Sequence, residues 1–258
     1  MHSWTLAGAD RGADLAAVPL VWMYHSIANY DEDPYEVTMT PQRFETQMRW
    51  LRRRGLQGVS MRELLRAKAE RRAGRLVGLT FDDGYQDFLA NAMPVLQEHG
   101  FTATVFVLAG RLGGENEWSR PGPHKALLTG DEVRDIANAG FEIGSHGLRH
   151  ISLVSADSRQ LEEETAGSRA VLRELIGADI SGFCYPYGHL DTTVVNAART
   201  AGYDYACAVK TSRCIGRHAI PRTLVHERDT TWRLEAKRLV STITVGNRLG
   251  VRRYRGGH

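Results

Sequence analysis

Two stretches of the chain carry residue types that could perform hydrolysis together. Leu79-Thr80-Phe81-Asp82-Asp83-Gly84 sets two carboxylates side by side at the end of the apolar run Leu76-Val77-Gly78-Leu79. Neighbouring side chains on a strand point to opposite faces, and at a strand end that alternation loosens, so both acids can reach one cavity from different angles. One could hold a cation while the other stays free as a base. The same three residues, Asp-Asp-Gly, also compose an ordinary turn. Further on, Ser145-His146-Gly147-Leu148-Arg149-His150 places two imidazoles four residues apart. On a helical turn such residues face one side, where they can bind one metal ion with a carboxylate from elsewhere completing a facial set. Asp83 is the candidate third ligand. A bare pair of this spacing also fits loop histidines with local hydrogen bonds; beside the twin aspartates it points to a metal centre.

The elements that must position these residues alternate regularly. Val18 to His25 reads as a first strand, and Thr40 as the cap of a helix with Pro41 at its first position and Phe44, Met48 and Leu51 on its core face. A short strand over 56–60 precedes a helix with a Ser60-to-Glu63 capping box. Strand 76–81 leads to a helix over 88–98, and strand 102–108 to a loop over 110–125 rich in Gly and Pro. Thr129 to Glu132 opens a helix ending at Gly140, and strand 141–145 precedes a helix over 158–175. Strand 182–187, helix 192–201, strands 205–209 and 219–225, and a helix after Thr231 complete the chain. Seven or eight strand–helix repeats predict an α/β fold with a parallel sheet closed into a barrel. Chemistry then belongs at the C-terminal strand ends, where His25, Asp82-Asp83, Ser145-His146, Tyr185-Pro186-Tyr187 and the Arg222-to-His226 region fall. Residues 18–245 read as one catalytic domain, between a flexible segment 1–17 and a basic tail 246–258.

Taken together, these motifs resemble the polysaccharide deacetylases, carbohydrate esterase family 4, also described as the NodB homology domain. Thr80-Phe81-Asp82-Asp83-Gly84-Tyr85 and Ser145-His146-x-x-x-His150 are similar to the first two family motifs, and Phe183-Cys184-Tyr185-Pro186-Tyr187-Gly188 to the third. Met23-Tyr24-His25-Ser26 and Phe44-x-x-Gln47-Met48-x-x-Leu51 resemble the branch that deacetylates poly-N-acetylglucosamine. The resemblance implies a distorted (β/α)7-8 barrel holding a divalent metal, most often zinc, with Co2+, Ni2+ or Mn2+ as options. It makes Asp83, His146 and His150 the metal ligands and Asp82 the general base for a water on that metal. The backbone N–H of Tyr187 would help stabilise the oxyanion, and a histidine would protonate the leaving amine. The implied reaction releases acetate from N-acetylglucosamine units of a glycan or glycoconjugate.

Two positions depart from the family pattern. Its common third motif opens with an arginine that orients the base; Cys184 stands there and cannot form a charged fork. Arg222 is the candidate substitute, with a surface arginine as the other reading. The family's acid is most often a histidine near the C-terminus, but in the poly-N-acetylglucosamine branch the equivalent lies on the first strand. That favours His25 over His226, with a core histidine as the alternative for His25. Trp118, in the 110–125 loop, is a candidate for stacking on a sugar ring. Arg248, Arg252, Arg253 and Arg255 read as a solvated tail or a weak site for anionic surfaces.

Composition sets wider bounds. The 258 residues include 33 Lys+Arg against 30 Asp+Glu, a formal net charge of +3 that does not suggest a nucleic-acid partner. No stretch has the length of a membrane span. Cys184, Cys207 and Cys214 form no Cys-x-x-Cys pair and suit reduced thiols. The first residues do not read as a signal peptide, which predicts a cytoplasmic protein, or an extracellular one only if a leader has been removed. A cytoplasmic setting would favour a small soluble or carrier-linked amino sugar as substrate. The loss of the family arginine at Cys184 leaves an inactive glycan-binding homologue as a third reading.

Overall fold

The structure is a computed structural model that describes residues 19–209 and 216–239. The expected segment 1–17, Cys214 and the basic tail with Arg248, Arg252, Arg253 and Arg255 lie outside the described residues. The strands in chain order are β1 (Val21–Tyr24), β2 (Ser26–Ile27), β3 (Thr38–Met39), β4 (Gln57–Val59), β5 (Leu76–Phe81), β6 (Thr104–Val107), β7 (Glu142–Ser145), β8 (Gly182–Cys184), β9 (Tyr205–Val209) and β10 (Ile220–Leu224). Seven of them close a parallel circuit, β1-β10-β9-β8-β7-β6-β5 and back to β1. The remaining barrel strand, β4, is a partial one: it pairs with β5 only from Leu76 to Gly78, and β6 takes over that edge at Thr80. This is the expected α/β barrel, with its distortion located at the β4 wedge.

Near-continuous apolar strands arise because both faces are covered. The helices are α1 (Pro41–Arg53), α2 (Met61–Ala69), α3 (Met93–Glu98), α4 (Gly130–Asn138), α5 (Ser158–Glu162), α6 (Ser168–Ile176) and α7 (Thr192–Thr200), with residues 231–239 also helical. Thr40 caps α1, Ser60 caps α2, and Thr129 with Glu132 forms a complete capping box on α4. The barrel interior is filled by Val21, Val59, Phe106, Tyr205, Cys207 and Ile220, and Met61 and Leu64 of α2 plug its lower end. Gly78 permits that plug, since a Cβ there would come within 2.9 Å of Leu64 Cδ2. Glu142 is buried at the same end with its carboxylate satisfied by Thr104 Oγ1 at 2.7 Å, the Arg62 N–H at 2.8 Å and the Tyr205 hydroxyl at 2.9 Å. The opposite, C-terminal ends of the strands remain open.

Three elements differ from the expected pattern. The helix over 88–98 begins as a π turn, Phe88–Ala92, before α3. Pro94, in the first turn of α3, has no N–H to give the preceding turn, so regular α-helical bonding is interrupted there. The helix over 158–175 is likewise split by a π turn, Glu163–Gly167, between α5 and α6. The strand expected to reach Tyr187 stops at Cys184, because Pro186 turns the chain into a short 3-10 segment, Pro186–Gly188.

Candidate active site

The open end of the barrel gathers the sequence-predicted residues. Phe81 closes β5, and the Asp82 N–H still bonds the Tyr24 carbonyl at 3.0 Å. Asp83 then adopts a left-handed conformation with φ 71°, followed by Gly84 at φ 70°. That reversal turns the two neighbouring carboxylates into one cavity, where both are buried. Gly84 sits 3.1 to 3.3 Å, measured from an ideal Cβ, against Val107, so the turn is pressed onto β6. His150 and Tyr187 are also left-handed, at φ 60° and 58°. Three non-glycine residues in this region at one cavity mark a backbone held in place by its surroundings.

His146 and His150 leave the end of β7 on a loop zipped to the end of β6. The His146 N–H bonds Val107 O at 2.8 Å, Ala109 N–H bonds Gly147 O at 2.9 Å, and Gly110 N–H bonds Leu148 O at 3.1 Å. The Nε2 atoms of His146 and His150 lie 3.2 and 3.3 Å from Asp83 Oδ1. That oxygen is buried with no hydrogen-bond partner among the described residues. Two ring nitrogens and a carboxylate oxygen thus lie within 4.8 Å of one another, close enough to share one metal ion. His146 Nδ1 meets the Cys184 carbonyl at 2.8 Å, which fixes the tautomer and leaves Nε2 as the lone-pair donor. The residues present therefore fit a divalent cation with two nitrogen donors and one oxygen donor.

Asp82 stays outside that set. Arg222 of β10 donates from Nη1 to Asp82 Oδ1 at 2.6 Å and from Nη2 to Oδ2 at 2.7 Å. Both residues are buried, so this is a desolvated bidentate pair. Burial pushes the Asp82 carboxyl up, but the guanidinium outweighs it and holds the group below the ordinary carboxylate range. Cys184 lies beside the fork, its Sγ accepting from Arg222 Nη2 at 2.9 Å and donating to Asp82 Oδ2 at 3.4 Å. Burial raises this thiol well above its usual value, so it remains protonated. Arg222 is no surface residue: it is buried and supplies Asp82 with the charged fork that Cys184 cannot form.

The cavity is a cleft of about 280 Å³ that also takes in His25, Tyr35, Trp118 and Tyr187. His25, one residue beyond β1, borders the cleft with Nδ1 buried and unpartnered among the described residues. His226 is not among the residues bordering it; its N–H bonds Asp229 and its ring lies 3.6 Å from Glu36. Trp118 is stacked on His150 with ring centroids 4.5 Å apart and planes at 23°. One face of the expected sugar platform therefore covers a candidate metal ligand. Tyr187 meets the same imidazole edge-on at 4.4 Å.

Two residues that the sequence reading missed support this constellation. Lys125 Nζ donates to Ser26 Oγ at 2.8 Å and to Thr38 Oγ1 at 2.5 Å, tying the Trp118 loop to β2 and β3 beside His25. Glu164 is fully buried on the π turn, and its carboxylate faces the histidine loop. A glutamate on the apolar stripe between Leu161 and Leu172 was the available signal, because an unpaired acid is not placed on a core face without a partner.

Residues 69–206 match the family model described as polysaccharide deacetylase. The chain belongs to the polysaccharide deacetylase family. It is 28% identical over 215 residues to the Bacillus subtilis (strain 168) protein YxkH, covering 81% of this chain and 72% of that protein. It is 23% identical over 203 residues to the poly-beta-1,6-N-acetyl-D-glucosamine N-deacetylase of Staphylococcus aureus (strain MSSA476), covering 74% of this chain and 68% of that enzyme. Among solved structures, IcaB from Ammonifex degensii shares the fold with a TM-score of 0.70 at 24% identity, over 86% of this chain and 97% of that one. The family match begins after β1, yet β1 closes the barrel and leads into His25.

Proposed function

We propose that this chain is a metal-dependent N-deacetylase that hydrolyses the acetamide of N-acetylglucosamine units in a polysaccharide or glycoconjugate, releasing acetate. The carrying observation is the convergence of Asp83, His146 and His150 on one point beside a carboxylate, Asp82, that Arg222 keeps apart. Asp83, His146 and His150 would hold the cation, and their two-nitrogen, one-oxygen donor set suits zinc. Bound there, the ion supplies Lewis acidity to a water molecule and to the amide carbonyl.

The chain's own groups do the rest. Asp82 is ionised and takes the proton from the attacking water. Arg222 holds both oxygens of that carboxylate, so the base meets the water in one orientation. The Tyr187 N–H donates to the carbonyl oxygen as negative charge gathers on it. As the carbon–nitrogen bond breaks, His25 gives a proton to the leaving nitrogen, so the products are acetate and a free amine. Tyr35 and Tyr187 border the cleft with apolar ring faces suited to pyranose rings. Membership of a family that includes the Staphylococcus aureus poly-beta-1,6-N-acetyl-D-glucosamine N-deacetylase supports the choice of glycan. Among the described residues no helix is long and apolar enough to cross a membrane.

The test is acetate release by zinc-loaded protein from N-acetylglucosamine oligosaccharides and from monosaccharide conjugates. Turnover should appear and rise with chain length. Release from the conjugates alone would move the substrate to a small amino sugar, and no release from any N-acetylated sugar would refute the assignment.

A further inference from the structure

We infer that Glu164 is a positioning residue that shapes the metal-binding loop, and that the π turn carrying it exists in order to aim it there. The inference rests on reading Asp83, His146 and His150 as a metal site. Glu164 does not touch that site. Its Oε2 accepts the Leu148 N–H at 2.7 Å and the Arg149 N–H at 3.2 Å, and its Oε1 accepts Arg149 Nε at 2.7 Å. The two backbone donors lie between His146 and His150. A fully buried carboxylate therefore gathers the turn that sets the spacing of the two imidazoles.

Several observations outside these bonds point the same way. Gly147 has φ 85°, and a Cβ there would lie 2.7 Å from Glu164 Oε2. The loop thus has a residue without a side chain at the point where the carboxylate needs room. His150, at the far end of the clamped turn, sits in the left-handed region, which few non-glycine residues adopt. On the helix side, a π turn widens the backbone by one residue and leaves carbonyls outside the α-helical ladder. Here they are satisfied: Ser168 Oγ donates to Glu164 O at 2.6 Å, and the Tyr203 hydroxyl donates to Thr165 O at 3.0 Å. Ser168 Oγ also meets Ser145 Oγ at 2.8 Å, and Ser145 Oγ accepts the Gly147 N–H at 3.1 Å. The irregular helix and the histidine loop are thus one hydrogen-bonded unit, joined through Glu164 on one side and Ser145 on the other. An uninterrupted α-helix, with one residue fewer in this turn, would rotate the residues after the π turn by roughly 100° relative to those before it. The acid and the serine would then no longer face the loop together.

The test uses the full chain and measures zinc affinity by competition with a chromophoric chelator, together with the visible absorption of the cobalt-substituted protein. Glu164→Ala should weaken zinc by about 10- to 100-fold, as removal of a group behind a metal ligand does. It should also change the cobalt bands, which report ligand geometry. Glu164→Gln keeps an acceptor for the two N–H groups and should recover most of the affinity. If Glu164→Ala does not fold, Glu164→Asp, with its oxygens drawn back by one methylene, should weaken zinc by roughly tenfold or more. A purely structural role would lower the melting temperature of the metal-free variants and leave zinc affinity and the cobalt bands unchanged in the folded protein. Zinc affinity within twofold of wild type in the folded Ala or Asp variant overturns the inference. A wild-type protein that binds neither zinc nor cobalt would instead overturn the metal-site reading on which it rests.

Discussion

Arg222 and Asp82 are 140 residues apart in sequence and meet through two parallel hydrogen bonds of 2.6 and 2.7 Å inside the barrel. Removing one member of such a buried pair strands the other charge and costs about 3–5 kcal/mol. Arg222→Met should therefore lower both stability and turnover, while leaving metal content intact because the ligand set does not include it. Arg222→Lys should recover less than half of the lost turnover, since an ammonium cannot span both carboxylate oxygens. Thermal melts and kcat measured side by side check this. An Arg222→Met protein with wild-type kcat would remove the orienting role.

The two aspartates should separate cleanly. Asp82→Asn keeps a hydrogen-bonding amide but no basic oxygen, so turnover should fall roughly 100- to 10,000-fold with zinc retained. Asp83→Asn removes the anionic ligand at the convergence point, so zinc itself should be lost on dialysis. Metal analysis and acetate release on the same preparations decide the matter. Equal zinc content in the two variants would contradict the division of labour.

His25 and His226 make opposite predictions about the leaving group. If His25 is the acid, His25→Ala should lose roughly 100-fold or more on an acetamide, with zinc retained. It should lose little on an aryl acetate ester, whose leaving group departs without protonation. His226→Ala should behave as wild type on both, because its ring is directed to Glu36 outside the cleft. A His226 variant that shows the amide-selective loss would exchange the two assignments.

Most of the barrel was legible because each strand–helix unit carries its own punctuation. Thr40, Ser60 and Thr129 all accept the capping bonds that their positions forecast. The candidate site was legible in residue type at Asp82-Asp83 and at His146 and His150, but the helical turn expected to align the two histidines is absent: they lie on a loop with Gly147 at φ 85° and His150 at φ 60°. The site was illegible where geometry depends on a break in helical periodicity. The stretch 158–175 has a helical pattern throughout, and nothing local states that five residues in its middle adopt a π turn. From sequence, Glu164 consequently reads as one more helix residue. At Trp118 the sequence showed the ring but not its neighbour, because the stacking partner His150 comes from a different strand end. Arg222 could be proposed only as one of two readings, since the fork with Asp82 depends on barrel closure.

Cys184 offers the sharpest test of how this chain departs from its family's common motif. Its Sγ lies 3.4 Å from Asp82 Oδ2 and 2.9 Å from Arg222 Nη2, so its side chain points into the space that the guanidinium already fills. Both oxygens of Asp82 are taken by Arg222. Cys184→Arg alone would press a second buried cation against Arg222 with a single carboxylate to share, and it should destabilise the protein by several kcal/mol. Cys184→Ser should be tolerated, since a hydroxyl can also donate to Asp82. The double variant Cys184→Arg with Arg222→Met moves the guanidinium to the family's usual position and restores a partner for Asp82. It should melt higher and turn over faster than either single variant, a non-additivity expected only for residues that share one partner. Melting temperatures and kcat for the four proteins complete the cycle. A double variant no better than Arg222→Met would mean that the arginine cannot be relocated and that Cys184 does not occupy the equivalent place.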